Sequence, residues 1–297
     1  MNEKGKKLIY VFLLVLTAFI WGTSFVAQSL GADSVGAFTF LAIRSLIAVF
    51  ALIPVMYFFV IRKKGKGAIS FEAFKAGAVC GLFLFSASAL QQIGIADTTT
   101  AKAGFITAMY VVLVPVICRI AGIPVPKKIW FCVLLTAAGL YFLCITESFT
   151  IDRGDPLIML CALLFAFQII AVNHYVKKVE PVLIAWFEFL VTAVLSGICM
   201  FLFEKVTREA LDKGMPSIVF TGLFSSTIAY TLQIVAQKNI NPTVACIIMS
   251  LESVFAALGG FVVLGEAMTT RELCGSFMIF AAIIISQLPR KKDGMSG

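Results

Sequence analysis

A single histidine, His174, stands among 297 residues, and the eight cysteines include no C-x-x-C pair. Zinc and haem sites and disulfide frameworks need ligand clusters at set spacings, so no metal or cofactor is expected. The thiols read as small apolar packing residues. Charge is scarce too: 13% of the residues are charged against 60% hydrophobic, with mean hydropathy +1.00. A soluble domain of this length needs far more polar surface. No G-x-x-x-x-G-K-[ST] loop is present, which argues against a nucleotide-driven pump. No H-E-x-x-H set can form, and Asp97, Asp152 and Asp155 fall in loops, so an intramembrane metallo- or aspartyl enzyme lacks its groups. An intramembrane enzyme of another kind, or a channel-like facilitator, stays as the alternative to a carrier.

What the chain does have is long apolar runs. Ten of them, at 8–30, 36–61, 74–95, 101–121, 128–144, 156–176, 181–203, 216–236, 242–264 and 273–288, reach or approach the length that crosses a ~30 Å hydrocarbon core. The first run is longer than a signal-peptide core and no small-residue cleavage site follows it, so it reads as a retained helix. Net charge is +8, and its placement matters more than its size. Basic residues gather at both termini, at 62–66, at Lys127 and Lys128, at Lys177 and Lys178, and at Lys238. The intervening loops carry Asp33, Asp97, Glu147, Asp152, Asp155 and Glu266, and 204–213 is mixed. Lys and Arg flanking a span favour the cytoplasmic side, which predicts a multi-pass cell-membrane protein with both termini cytoplasmic. The basic surplus then serves topology and attraction to an anionic bilayer, with no nucleic acid partner.

Five runs precede the polar stretch 146–155 and five follow it. Sliding the chain by about 141 residues superposes Gly81-Leu82-Phe83 on Gly222-Leu223-Phe224, and Gln92-Ile93 on Gln233-Ile234. Both matches fall on the third helix of their half. An odd number of spans per half sends the second copy through the membrane from the opposite face, the inverted-repeat plan of secondary transporters. The fold expected is an all-α membrane protein of ten transmembrane helices, as two inverted five-helix repeats at 8–146 and 156–289.

The first helix reads Phe19-Ile20-Trp21-Gly22-Thr23-Ser24-Phe25, the second carries Arg44-Ser45-Leu46-Ile47-Ala48, and the ninth reads Ser250-Leu251-Glu252-Ser253-Val254-Phe255 before Leu264-Gly265-Glu266. These stretches resemble the tandem EamA-type domains of the drug/metabolite transporter superfamily. The resemblance implies a ten-helix carrier of small metabolites, often an exporter, with amino acids or similar polar or zwitterionic compounds as the class of cargo. Ser253 stands where many members have proline, which predicts a straighter ninth helix. The four-helix small multidrug relatives use a glutamate in their first helix. Thr23, Ser24 and Gln28 occupy this one without an acid, which argues against that proton scheme.

Glu252 is the leading candidate residue. A carboxylate at mid-membrane costs ~3 kcal/mol or more, so it faces a cavity or a partner. It either binds a substrate amine or a proton, or it accepts hydrogen bonds and holds its half together. Trp21, Gln28, Gln92, Tyr110, Gln168, Asn173, Gln233 and Ser250 are candidates for the lining around it. Rings would supply flat apolar contact and amides orientation, although each also fits an interhelical hydrogen bond. Arg44 and Glu188 hold nearly corresponding places on the second helix of each half, and inversion sets them toward opposite faces. With Glu252 and Pro115 they are the coupling or gating candidates. Arg44 either attracts an anion or caps carbonyls or snorkels to the interface, and Pro115 is expected to kink the fourth helix. His174, Lys102 and Arg119 are expected at the interfaces. Gly77 and Gly81 form a G-x-x-x-G that permits close helix approach, within the chain or across a homodimer. The partners expected are a small-molecule substrate and the bilayer, with the chain acting as monomer or homodimer.

Overall fold

A computed structural model describes residues 3–98, 100–145, 152–259 and 269–288. Among these residues there is no strand. The helices are α1 (Glu3–Ala32), α2 (Ala37–Met56, prolonged by a π turn Tyr57–Ile61 and by Arg62–Lys64), α3 (Phe71–Gly94) and α4 (Thr100–Ala108, then Tyr110–Ile120). Then come α5 (Lys127–Cys144), α6 (Asp155–Tyr175) and α7 (Pro181–Phe203). The last are α8 (Arg208–Phe220, a π segment Thr221–Ala229, Tyr230–Gln237), α9 (Pro242–Met249, then Leu251–Gly259) and α10 (Thr270–Gln287). Among the described residues, eight stretches have the length and composition to cross a membrane, and Pro242–Leu258 is a shorter apolar helix. Glu147, Glu266 with the rest of its L-G-E stretch, and the basic residues 290–292 lie outside the described residues.

Local chemistry sets where the helices start. The Ser70 side chain accepts from the Ala73 N–H at α3, Thr207 from Ala210 at α8, and Asn241 from Thr243 at α9. Each satisfies a donor that the first turn leaves free. Thr269 and Glu272 form a reciprocal capping box at α10. Prolines open α6, α7 and α9, where a missing N–H does no harm.

The helices pack in a pattern that survives exchange of the two halves. α2 packs on α7 and α5 on α10; α3 packs on α6 and α7 just as α8 packs on α1 and α2; α4 meets α6 as α9 meets α1. Two close crossings repeat at residue level. A Cβ added at Gly81 would lie 2.7 Å from the Glu188 carbonyl, and one at Gly222 would lie 3.0 Å from Ile47 Cβ. Glu188 and Ile47 stand about 141 residues apart, the same offset as Gly81 and Gly222. Gly77 meets Phe187, so the G-x-x-x-G face lies against α7 of the same chain.

Neighbouring ends are tied. Lys64 pairs with Glu180, joining the end of α2 to the start of α7. At the other end of that pair, the Glu204 carboxylate accepts from the Phe38 and Thr39 N–H groups, both at 2.8 Å, and from the Thr39 hydroxyl at 2.6 Å. Lys102 reaches Asp152 at 2.6 Å and Asp155 at 2.9 Å, fastening α4 to the start of α6. Large apolar side chains such as Phe12, Phe50, Phe59, Phe201 and Phe277 are exposed around the periphery, an arrangement suited to lipid.

Two expectations about helix shape are corrected. The interruption of α4 falls at Met109, six residues before Pro115, and Pro115 sits inside the continuous second segment. α9 is not straight despite Ser253: it breaks at Ser250. Met109 and Ser250 adopt the same backbone angles, φ −60° and ψ −11°, and are again about 141 residues apart. Proline is therefore not what breaks these helices.

Candidate functional site

A cavity of about 40 Å³ lies between the two halves, at the level of the α4 and α9 breaks. One face of α1 supplies Trp21, Phe25 and Gln28, spaced i, i+4 and i+7. Arg44 comes from α2, Gln91 from α3, and Thr107 and Tyr110 from either side of the α4 break. α6 adds Phe165, Gln168 and Ile169, α8 adds Ser225, Tyr230 and Gln233, and Glu252 comes from just past the α9 break. This volume admits about three waters.

Charge on the wall is sparse and of both signs. Arg44 is 3% exposed; its Nη1 donates to Gln28 Oε1 at 3.1 Å and its guanidinium lies 5.9 Å from the Phe40 ring centre. It neither snorkels nor caps, contrary to the blander sequence reading, and among the described residues it pairs with no carboxylate. Glu252, also 3% exposed, accepts from the Tyr110 hydroxyl at 3.0 Å. That bond crosses from one broken helix to the other. Tyr230 packs against Trp21 with ring centres 4.8 Å apart, and edge-on against Phe189 at 5.4 Å. Trp21 Nε1, Arg44 Nε and Gln233 Oε1 are buried with no protein partner. Buried polar atoms in native proteins are nearly always satisfied, so two donors and one acceptor on this wall call for water or a ligand.

Behind the wall stands Glu188, fully buried on α7. Its Oε1 accepts from Gln168 Nε2 at 2.7 Å, and Gln168 Oε1 accepts from Gln233 Nε2 at 3.5 Å. Of the other residues singled out in the sequence, Gln92 is off the wall: its amide donates to the Gln28 carbonyl at 3.1 Å. Its neighbour Gln91 takes the wall position and donates to Thr107 at 3.1 Å. Ser250 turns its hydroxyl to the Ile247 carbonyl of its own helix. Asn173 is half-buried near the end of α6, beside an exposed His174.

The model of the EamA-like transporter family matches residues 8–145 and again residues 152–288. The chain belongs to this family. An uncharacterized transporter of Archaeoglobus fulgidus is 33% identical over 289 residues, covering 97% of this chain and 89% of that protein. A second uncharacterized transporter of the same organism is 29% identical over 134 residues, 45% of each chain. A solved crystal structure superposes with a TM-score of 0.78 over 95% of this chain and 96% of that one, at 17% identity, a likeness of fold. Family and relatives point to a transporter rather than an enzyme, and with the apolar helices they make this EamA-like protein an integral multi-pass membrane protein.

The two stretches that carried the resemblance touch each other. A Cβ at Gly22 would lie 2.5 Å from the Glu252 carbonyl, so only glycine lets α1 cross α9 at this height. Phe19 and Phe255 meet edge to face at 5.3 Å beside it. In this EamA-like transporter the W-G-T-S-F and S-L-E-x-V-F segments therefore form one joint that presents Trp21 and Glu252 to the same cavity. Reading single residues missed Phe25, Phe165 and Tyr230. Helical spacing was the available signal, since they stand four, three and three positions from Trp21, Gln168 and Gln233.

Proposed function

We propose that the protein is a secondary carrier that exports a small zwitterionic metabolite, an amino acid or a compound of similar size and charge pattern, by alternating access. The observation that carries this reading is the presence of one buried guanidinium, from α2, and one buried carboxylate, from α9, on the wall of a single cavity. Each isolated charge is unfavourable at this depth. A ligand with a carboxylate for Arg44 and an ammonium for Glu252 relieves both, and the Trp21 and Tyr230 rings supply apolar contact for its body. The exporting sense comes from the family resemblance.

The transport path is read as ten spans in two inverted repeats with both termini cytoplasmic. Support comes from the exchange-symmetric packing, the paired Gly81 and Gly222 crossings, the matched breaks at Met109 and Ser250, and the placement of basic residues. Discontinuous helices at a repeat interface are where such carriers hold their cargo. A hinge motion at either break changes the Tyr110–Glu252 bond, so occupancy and opening are coupled through it. The cavity in this conformation has room for a few waters and not for a metabolite, so binding requires it to widen.

Counterflow in proteoliposomes tests the reading. Vesicles loaded with one L-amino acid of a panel should take up its labelled form, and Arg44→Gln and Glu252→Gln should each abolish uptake. A carrier that exchanges none of the panel, or that exchanges with both variants intact, would overturn the zwitterion assignment.

A further inference from the structure

Glu188 lies on α7 behind the cavity wall, and the ligand reading gives it no task. It is fully buried, Oε1 is engaged by Gln168, and Oε2 has no partner. A carboxylate left with one bare oxygen in an apolar interior is poorly stabilised, whereas a carboxylic acid there has one hydrogen to place. The Gln168 amide can serve either state. It also touches Gln233, which is on the cavity wall with its Oε1 unpartnered.

We propose that Glu188 is a proton site read out through an amide relay, in which its protonation sets whether Gln233 offers the cavity an acceptor or a donor. With Glu188 ionised, Gln168 donates to it, Gln168 Oε1 receives Gln233 Nε2, and Gln233 Oε1 faces the ligand space. With Glu188 protonated, its O–H donates to Gln168 Oε1. The Gln168 amide then turns its NH2 to Gln233 Oε1, and the Gln233 NH2 is the free group. One proton is taken up or released at the Glu188 carboxyl, a half-turn of the group bringing the protonated oxygen to Gln168, and nothing else is consumed. The acceptor form favours a ligand ammonium, so the relay makes proton and amine-bearing ligand exclude each other, as an exchange of one for the other requires. Glu188 is thus a positioning residue acting through Gln168, and the inference rests on the carrier reading only for its last step.

Other titratable groups around Glu188 are few. α3 presents the Cys80 thiol, and α8 presents the Tyr230 phenol, which stands in the fields of Arg44 on α2 and Glu252 on α9 as well. Arg44 itself is turned to Gln28. Thiols and phenols ordinarily titrate on the alkaline side, at ~8.5 and ~10, so the rival for a proton at neutral pH is Glu252.

pH-difference infrared spectroscopy of the full chain in lipid discs reads this without any ligand. The wild type should show the carbonyl band of a protonated buried carboxyl that titrates, together with amide side-chain bands that change in step. Glu188→Gln should remove that carboxyl band and Glu252→Gln should keep it. Gln168→Leu should shift its midpoint by ~0.5 pH unit or more and uncouple the amide bands. A band that survives Glu188→Gln, or a midpoint and amide bands indifferent to Gln168→Leu, would overturn the relay. Proteoliposomes loaded with a pH dye and challenged in turn with L-leucine, L-threonine and L-lysine separate the two readings. Amino-acid exchange that tightens by up to ~tenfold per pH unit in the wild type and is flat with pH in Glu188→Gln supports the relay. Exchange with no proton movement, flat in both proteins, overturns the relay and keeps the carrier. No amino-acid movement, with the infrared pattern intact, overturns the zwitterion carrier and keeps the relay.

Discussion

α3 and α8 carry the same G-L-F and Q-I marks at the same spacing, yet they treat the cavity differently. α3 runs as one α-helix through Phe71–Gly94, whereas α8 passes through the π segment Thr221–Ala229, where the Thr227 hydroxyl bonds the carbonyl of Gly222, five residues back. At the start of that segment the two helices are still in phase, as the Gly81 and Gly222 crossings show. After it they are out by about one residue, or roughly 100° of turn. The wall residue on α3 is therefore Gln91, while on α8 it is Gln233, the counterpart of Gln92. The two halves share their packing anchors and differ in which side of the third helix they show to the ligand space. A repeat thus supplies a frame, and a one-residue phase slip supplies the asymmetry that a specific site needs.

Removing the slip should break this comparison most severely. Ser226→Ala with Thr227→Ala removes the hydroxyls that line and bridge the π turns, so the segment closes as regular α-helix with its residue count unchanged and the end of α8 returns to the phase of α3. Leu232 should then face the cavity and Gln233 should turn away. The ligand would forfeit two or more polar interactions at ~1.5–3 kcal/mol each, so exchange in vesicles should fall by ~10³-fold while membrane insertion persists. Retained exchange would mean that the π segment has no part in the site.

The shared frame gives the next effect. Gly81→Leu drives a side chain into the Glu188 backbone, which has no room to yield, and should destabilise the fold by ~3 kcal/mol or more. At Gly222 the obstacle is the Ile47 side chain, which can shift, so Gly222→Leu should cost about 1 kcal/mol. Thermal unfolding in detergent measures both, and equal losses would remove the distinction between the two crossings.

A finer cut separates neighbours on α3. Gln91→Ala should weaken ligand binding by ~tenfold, because Gln91 is on the wall, beside a loss of about 1 kcal/mol of stability through its bond to Thr107. Gln92→Ala should lose a similar ~1 kcal/mol through its bond to the Gln28 carbonyl and leave ligand binding unchanged. Ligand-dependent thermal shifts on both variants resolve the two roles.

Much of the frame was legible in the sequence, because apolar runs act locally and repeat along the chain. Glu252, Trp21, Gln168 and Gln233 stood out as polar or amphipathic groups in such runs, and the structure gathers them on one wall. Gln92 was misplaced because the offset of about 141 residues compares positions along the chain, and a π segment changes angle without changing that count. No proline marks the slip; the hydroxyl run Ser225-Ser226-Thr227 beside Gly222 is the one local sign of it. The Arg44 environment was illegible for a different reason. Whether a long basic side chain snorkels or turns inward depends on Gln28, sixteen residues away on another helix.

The smallest effects should come from the two ends of the α2–α7 pair, equivalent places in the two halves with unlike chemistry. At one end, Glu204 collects two N–H donors and a hydroxyl at the start of α2, a charge-assisted helix cap; Glu204→Ala should cost about 1–2 kcal/mol. At the other, Lys64 and Glu180 form an accessible ion pair worth less than about 1 kcal/mol. The hydrogen bond from Lys64 holds the Glu180 carboxyl below its ordinary value of 4.5, against a partial burial that pushes the other way. A depressed folded value means that the tie is fully present above 4.5 and is lost as pH falls through the lower folded value. Lys64→Ala should therefore be slightly less stable than the wild type at neutral pH, and the difference should fade as pH falls through the lowered folded value, and in ~1 M salt. Glu204→Ala, measured beside it, should keep most of its deficit in high salt, because its hydrogen bonds to fixed backbone donors do not depend on the ionic atmosphere. If salt erased both deficits equally, the two ends would be alike, and the asymmetry between the halves would be confined to the cavity.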